Sequence, residues 1–287
     1  MKICRFDDNR LGVLDGDDVL DVSTVLEQLP ACRYPLPRHD LLVAELQRLA
    51  PAIEAAKPHA RRIPVNTVRL LSPVANPGKI VAAPVNYTKH LQEVLGDANL
   101  HHDNQINHIE RAGLFLKAVS SLEGMSRGVE LCHPERRSDP ELELVAVIGR
   151  TCKNASAADA LGYVAGYCVG LDMTIRGPEE RSFRKSPDTY CVLGPCLVTA
   201  DELPDAGALD MTLHVNGEIR QRANSRDLIL GVPQLIALAS SFYTLHPGDL
   251  IYTGTAEGVA AIKAGDRMLA HIDRIGTLDV RILEQAQ

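Results

Sequence analysis

The segment Asp139-Pro140-Glu141-Leu142-Glu143-Leu144-Val145-Ala146-Val147-Ile148 narrows what this chain can fold into more than any other. Pro140 pushes Asp139 toward extended geometry and sits where a strand can begin. Side chains alternate along a strand, so Glu141 and Glu143 point to the same face. Leu144–Ile148 is then apolar on both faces, which suits a strand entering a core. Neighbouring carboxylates repel and do not both stay ionised unless a cation or strong donors compensate. Asp172 supplies a third acid, closing a second apolar run over Gly162–Leu171. Three carboxylates with water and a chelating substrate would make a hard-cation site for Mg²⁺ or Mn²⁺, with Ca²⁺ also suited, rather than for Zn²⁺. From spacing alone, a solvated strand face and a metal site both stay open.

Composition removes other classes. Over 287 residues, 30 Lys+Arg against 37 Asp+Glu leave a formal net charge of −7, without the basic footprint of a nucleic-acid binder. No apolar run approaches the roughly 20 residues that span a bilayer. The opening Met1–Asp8 turns acidic at once, unlike a signal peptide, so a soluble cytoplasmic protein without membrane partners is expected. The 7 cysteines are scattered and include no Cys-x-x-Cys pair, which argues against a disulfide framework and a thiolate zinc site.

Residues 1–72 read as a small α+β module. Arg10–Leu14 and Val19–Val22 flank a turn at Asp15–Asp18, and a helix is predicted from about Asp40 to Ala50, where Pro51 should interrupt it. Leu70–Gly78 reads as a linker into a second unit, 73–287. There the signals are mostly strands, among them Lys79–Ala83, Leu142–Ile148 and a hairpin at Asn216-Gly217, with one clear helical period over Val232–Tyr243. A β-rich α+β fold fits better than alternating βαβ.

His90 and Glu93 are spaced by one helical turn, which lets a carboxylate fix the imidazole tautomer and raise its basicity toward a water. An exposed pair on a polar helix is the competing reading. Gly254 permits close approach of a substrate to Thr255. His101-His102-Asp103 and His108 read as a polar lid more readily than as a transition-metal site. Arg136-Arg137 could steer anions or simply be solvated.

Taken together, the chain resembles the fumarylacetoacetate hydrolase family across most of Gly78–Ile282. The landmarks follow in family order: Val85-Asn86-Tyr87 with His90 and Glu93, Leu114–Lys117, Glu141–Leu144 with Val147–Arg150, and Val164–Tyr167 leading to Asp172. Lys185–Thr189, Leu193–Pro195, Val215–Glu218 and Thr253–Thr255 complete the series. The resemblance implies a mixed β-roll or barrel-like catalytic domain, a homodimer, and a divalent cation held by Glu141, Glu143 and Asp172. It implies hydrolysis of a C–C bond in a 1,3-diketo acid of the acylpyruvate type, such as fumarylpyruvate or maleylpyruvate, to a 2-oxo acid and a carboxylic acid. His90 with Glu93 would activate water, while Lys185 and Arg176 would face the substrate carboxylate and developing oxyanion. Tyr87, Thr255 and Glu179 would contact substrate. The family also contains oxaloacetate decarboxylases and isomerases or hydratases of 2-oxo acids, which remain the alternative. Three departures from the family pattern, Gly177 after Arg176, Glu179 where Gln is usual, and Ala256 with Ala260 in place of Pro and Gly, do not choose among these reactions, though Glu179 would add negative charge if it entered the pocket.

Overall fold

The computed structural model describes residues 1–96 and 108–284. His101, His102 and Asp103 therefore lie outside the described residues, while His108 is the exposed residue before helix Ile109–Ala112.

Among the described residues, a twelve-stranded sheet forms the main layer. Its path runs Arg61–Pro64, Asp18–Asp21, Arg10–Asp15, Lys2–Phe6, Cys191–Thr199, Val164–Asp172, Leu142–Ile148, Leu250–Tyr252, Ile80–Ala82 and Phe115–Lys117. Leu70–Leu71 and Leu122–Glu123 pair beside this path. The two ends of the path do not pair with each other, so the sheet curls without closing into a barrel. A five-stranded sheet of Glu218–Asn224, Asp210–Val215, Arg267–Ile272, Gly276–Leu283 and Val129–Glu130 packs against it. Leu142–Ile148 and Cys191–Thr199 are buried at every position, as strands covered on both faces must be.

Asn216 and Gly217 take positive φ values of 52° and 85°, the pair a type I′ turn requires, and they join the two predicted strands. The helix Val232–Phe242 begins on Pro233 in its first turn and buries Leu235, Ile236 and Ala239. Helix Leu41–Ala56 runs through Pro51 instead of stopping there. Proline removes one N–H from the ladder. The buried stripe Val43, Leu46, Leu49 and Ile53 continues on both sides of it, so packing holds the two halves together.

Asp40 anchors that helix. One of its oxygens accepts from Val43 N at 3.0 Å, and the other accepts from Ala75 N and Asn76 N at 2.9 and 3.0 Å. A single buried carboxylate thus ties the helix start to the segment leading into strand Ile80–Ala82. Asp40→Ala is expected to lower unfolding free energy by about 2–4 kcal/mol, because it removes a cap and orphans two further amides. Denaturant midpoints measure this, and a change below about 0.5 kcal/mol would show that water replaces the carboxylate.

Candidate metal centre and active-site cleft

The sheet register assembles the acids. Leu142 pairs with Leu171 and Glu143 with Gly170, and Asp172 N donates to Glu141 O at 2.9 Å. Glu141 therefore stands opposite Asp172, with Glu143 two positions along the same face. Gly170, paired with Glu143, has no room for a side chain, since a Cβ there would lie 2.5 Å from both Tyr252 Cε1 and Val145 Cγ2, which fill that space. One oxygen from each of Glu141, Glu143 and Asp172 falls within 4.8 Å of the others, and all three side chains are buried.

Buried carboxylates need positive charge, and the structure supplies it unevenly. Lys185 Nζ donates to Glu141 at 2.7 Å, Asp172 at 2.6 Å and Thr174 at 2.7 Å, which uses all three of its N–H groups. Arg176 donates Nη2–H to Glu141 at 2.8 Å and Nε–H to Asp139 at 2.7 Å. Asp139 is fully buried and also accepts from Arg137 at 2.9 Å. Lys117 donates to the second Asp172 oxygen at 2.5 Å, to Tyr190 O at 3.1 Å and to Lys185 O. Lys117 and Asp139 escaped sequence reasoning as parts of the site. The available signal for Lys117 was strand alternation, which sends it inward with Phe115.

Glu143 is the exception. It is 1% exposed, and one oxygen accepts from Gly254 N at 2.6 Å. Its other oxygen has no partner among the described residues. Burial, then the charge of Asp172, pushes its carboxyl well above the ordinary range. Burial would raise Glu141 too, but Lys185 and Arg176 outweigh it and hold that carboxyl well below its usual value. An orphaned buried carboxylate oxygen, in an all-oxygen donor set, fits a hard divalent cation.

A second group meets Glu141 at a cleft lined by Val85, His90, Glu141, Arg176, Lys185 and Thr255 among others. His90 is 3% exposed on helix Thr88–Gly96, and its Nδ1 lies 2.7 Å from Glu93 Oε2. Glu93's other oxygen accepts from Gly258 N at 2.9 Å. Gly258 has φ +96°, and a Cβ there would sit 2.1 Å from Arg220 O, so only glycine brings this N–H to Glu93. His90 Nε2 has no partner among the described residues.

Asn86 holds the cleft wall in place. Its side chain bonds Leu230 O, Thr253 O and Leu230 N, each at 2.8 Å. Val85 beside it takes φ +24°, a value rare for a β-branched residue and sustained here by that clamp.

Of the three residues expected at the substrate, two stand off the cleft lining and one lies on it. Tyr87 turns into the core with its hydroxyl 3.6 Å from Met211 Sδ, because its backbone bridges to Leu228 and leaves the ring beneath the wall. Glu179 is gripped by Arg136 at 3.0 and 2.8 Å, which holds its carboxyl below the usual range and takes it off the cleft lining. Thr255 does line the cleft, yet its hydroxyl donates to Leu142 O at 3.0 Å and accepts from Gln221 at 2.9 Å. Arg181 and Arg184 line the cleft as well and were not singled out from sequence.

A carboxylate triad with compensating lysines, facing a carboxylate-oriented imidazole, defines a metal-assisted acid–base enzyme. The chain belongs to the fumarylacetoacetate hydrolase family: the family model described as "Fumarylacetoacetate (FAA) hydrolase C-terminal" matches residues 79–283. It is 59% identical over 284 residues to a maleylpyruvate hydrolase of Aquipseudomonas alcaligenes, covering 98% of this chain and 99% of that protein. The crystal structure of maleylpyruvate hydrolase from Sphingobium sp. SYK-6 in complex with manganese(II) ion and pyruvate superposes with a TM-score of 0.85, at 41% identity over 100% of both chains. An oxaloacetate tautomerase, Fahd2a of Rattus norvegicus mitochondria, is 32% identical over 92% of this chain and 83% of its own.

The raised Glu143 carboxyl has a measurable consequence. A cation needs the carboxylate, so protons compete with it below that raised value, and affinity climbs as pH rises toward it. Titrating Mn²⁺ calorimetrically at a series of pH values, in buffers of different ionisation enthalpy, is expected to show proton release on binding that grows as pH falls. Glu143→Gln should abolish that release. Binding without proton release in the native protein would contradict the assignment.

Proposed function

We propose that this chain is a divalent-metal-dependent hydrolase that cleaves the C–C bond between the two halves of an acylpyruvate, with maleylpyruvate as substrate and pyruvate plus maleate as products. The observation that carries this reading is the meeting, at one cleft, of Glu141 from a buried three-carboxylate cluster and the His90 imidazole, whose Nδ1 is committed to Glu93 and whose Nε2 has no partner among the described residues. Near-full-length identity of 59% to a maleylpyruvate hydrolase supports the choice of acyl group.

Glu141, Glu143 and Asp172 would hold the cation. Mg²⁺ suits such oxygen donors, with Mn²⁺ or Ca²⁺ as substitutes. Bound there, the ion supplies Lewis acidity toward a chelating 2-oxo acid and a template for its orientation. His90 Nε2 takes a proton from water, and the resulting hydroxide adds to the distal carbonyl carbon. Glu93, fixed by Gly258, stabilises the imidazolium. The bond to the pyruvyl methylene then breaks, its electron pair passes into the pyruvyl enolate, and a proton returned to that carbon completes pyruvate. Lys185, with every N–H engaged, contributes a fixed positive charge rather than a new hydrogen bond. Arg176 keeps Nη1 without a partner among the described residues, so it can donate to the substrate carboxylate. The reading extends to a cytoplasmic homodimer.

Decay of the enol absorbance of maleylpyruvate tests this directly, with Mn²⁺ and again with excess chelator, and with oxaloacetate as parallel substrate. Metal-dependent decay is expected, and loss of oxaloacetate alone would favour tautomerase or decarboxylase chemistry. His90→Ala should lower kcat by roughly 10²–10⁴ with Mn²⁺ affinity unchanged. Unchanged turnover in that variant would remove His90 from the mechanism.

A further inference from the structure

The four cations lining the cleft differ in how they are satisfied. Lys185 and Arg176 are matched by carboxylates, and Arg184 donates to Glu179 O and Ile175 O, each at 3.2 Å. Arg181, the first residue of the short helix Arg181–Arg184, lines the same cleft. Among the described residues no carboxylate lies within ion-pair distance of it, and no acceptor takes any of its N–H groups. Its chain neighbour Glu180 turns away to accept from Ser182 N at 2.7 Å. The contact Arg181 does make is with the ring face of Phe115, 5.7 Å from Cζ to centroid. A half-buried guanidinium over a ring regains far less than an anion would return.

Charge balance points the same way. Glu141, Glu143, Asp172 and Asp139 face Lys117, Lys185, Arg176 and Arg137, so this network is neutral when all four acids are ionised. A divalent ion at the triad answers the carboxylate and enolate of the 2-oxo acid end. Arg181 then remains as unmatched positive charge. Lys185 Nζ lies 5.4 Å from the same Phe115 centroid, so one ring is shared by Arg181 and the lysine that contacts the triad.

We propose that Arg181 selects the acyl group by binding the carboxylate at its far end, so that this enzyme prefers acylpyruvates whose acyl half is a short diacid over those ending in alkyl. The inference rests on the hydrolase reading above. Phe115 is its platform, and Arg184, turned onto backbone carbonyls, is not an equivalent second site.

The test compares maleylpyruvate with acetylpyruvate, whose acyl half ends in a methyl group, at one Mn²⁺ concentration. In Arg181→Gln the ratio of the two kcat/KM values is expected to fall by about 30-fold or more, chiefly through KM for maleylpyruvate. Because both substrates are measured on one protein sample, any unfolded fraction cancels in the ratio. Arg181→Lys, which keeps the charge, should retain most of the ratio. A ratio unchanged within about threefold, an equal loss with both substrates, complete inactivity of the Gln variant, or a Lys variant indistinguishable from Gln would each overturn the assignment. Native protein inactive on both substrates would instead refute the hydrolase reading itself.

Discussion

Burying three carboxylates side by side is the constraint on which this structure turns. Each ionised acid removed from water needs a compensating charge or donor. The fold answers with two lysines, an arginine and a glycine N–H, all arriving from different parts of the chain. Lys117 comes from the edge strand Phe115–Lys117, Lys185 and Arg176 from the segment after Asp172, and Gly254 from the end of strand Leu250–Tyr252. Among the described residues, what stays uncompensated is one oxygen of Glu143, and that deficit is the feature most suited to a cation.

The rest of the architecture holds this cluster in register. A one-residue slip between Leu142–Ile148 and Val164–Asp172 would turn the acids to the opposite face, away from Lys117, Lys185 and Arg176, which makes such a slip costly. Gly254 and Gly258 hold positive φ and bring their N–H groups to Glu143 and Glu93 respectively. One short loop thereby positions both the acid cluster and the acid–base pair. Asn86 braces the same loop through Thr253 O. Secondary hydrogen bonds of this kind orient ligands and tune their basicity.

Membership of the fumarylacetoacetate hydrolase family does not by itself choose a reaction, since one scaffold carries several. The choice lies in the cleft: an imidazole whose Nε2 has no partner among the described residues supports hydrolysis, and the cationic wall of Arg176, Arg181, Arg184 and Lys185 supports an anionic substrate. Glu179 illustrates how neighbours redefine a departure from family pattern. An acid where an amide is usual looked able to charge the cleft negatively, but Arg136 takes it up at the rim.

Local pattern alone determined much here. The strand Leu142–Ile148, the Asn216-Gly217 hairpin and the helix from Val232 are legible because alternation, turn chemistry and a 3.6-residue period act over a few neighbouring residues. The shared face of Glu141 and Glu143 follows from the same alternation, and the i, i+3 spacing of His90 and Glu93 follows from helix geometry. Only the tertiary structure decided which distant groups meet those residues. Lys117 and Asp139 enter the charge network through long-range packing. Strand Lys2–Phe6 joins the central sheet beside Cys191–Thr199, far along the chain. Tyr87 and Glu179 leave the cleft because Leu228 and Arg136 hold them elsewhere. Such pairings depend on where strands from remote segments dock, and burial makes their energies large without leaving any mark in the spacing of adjacent residues.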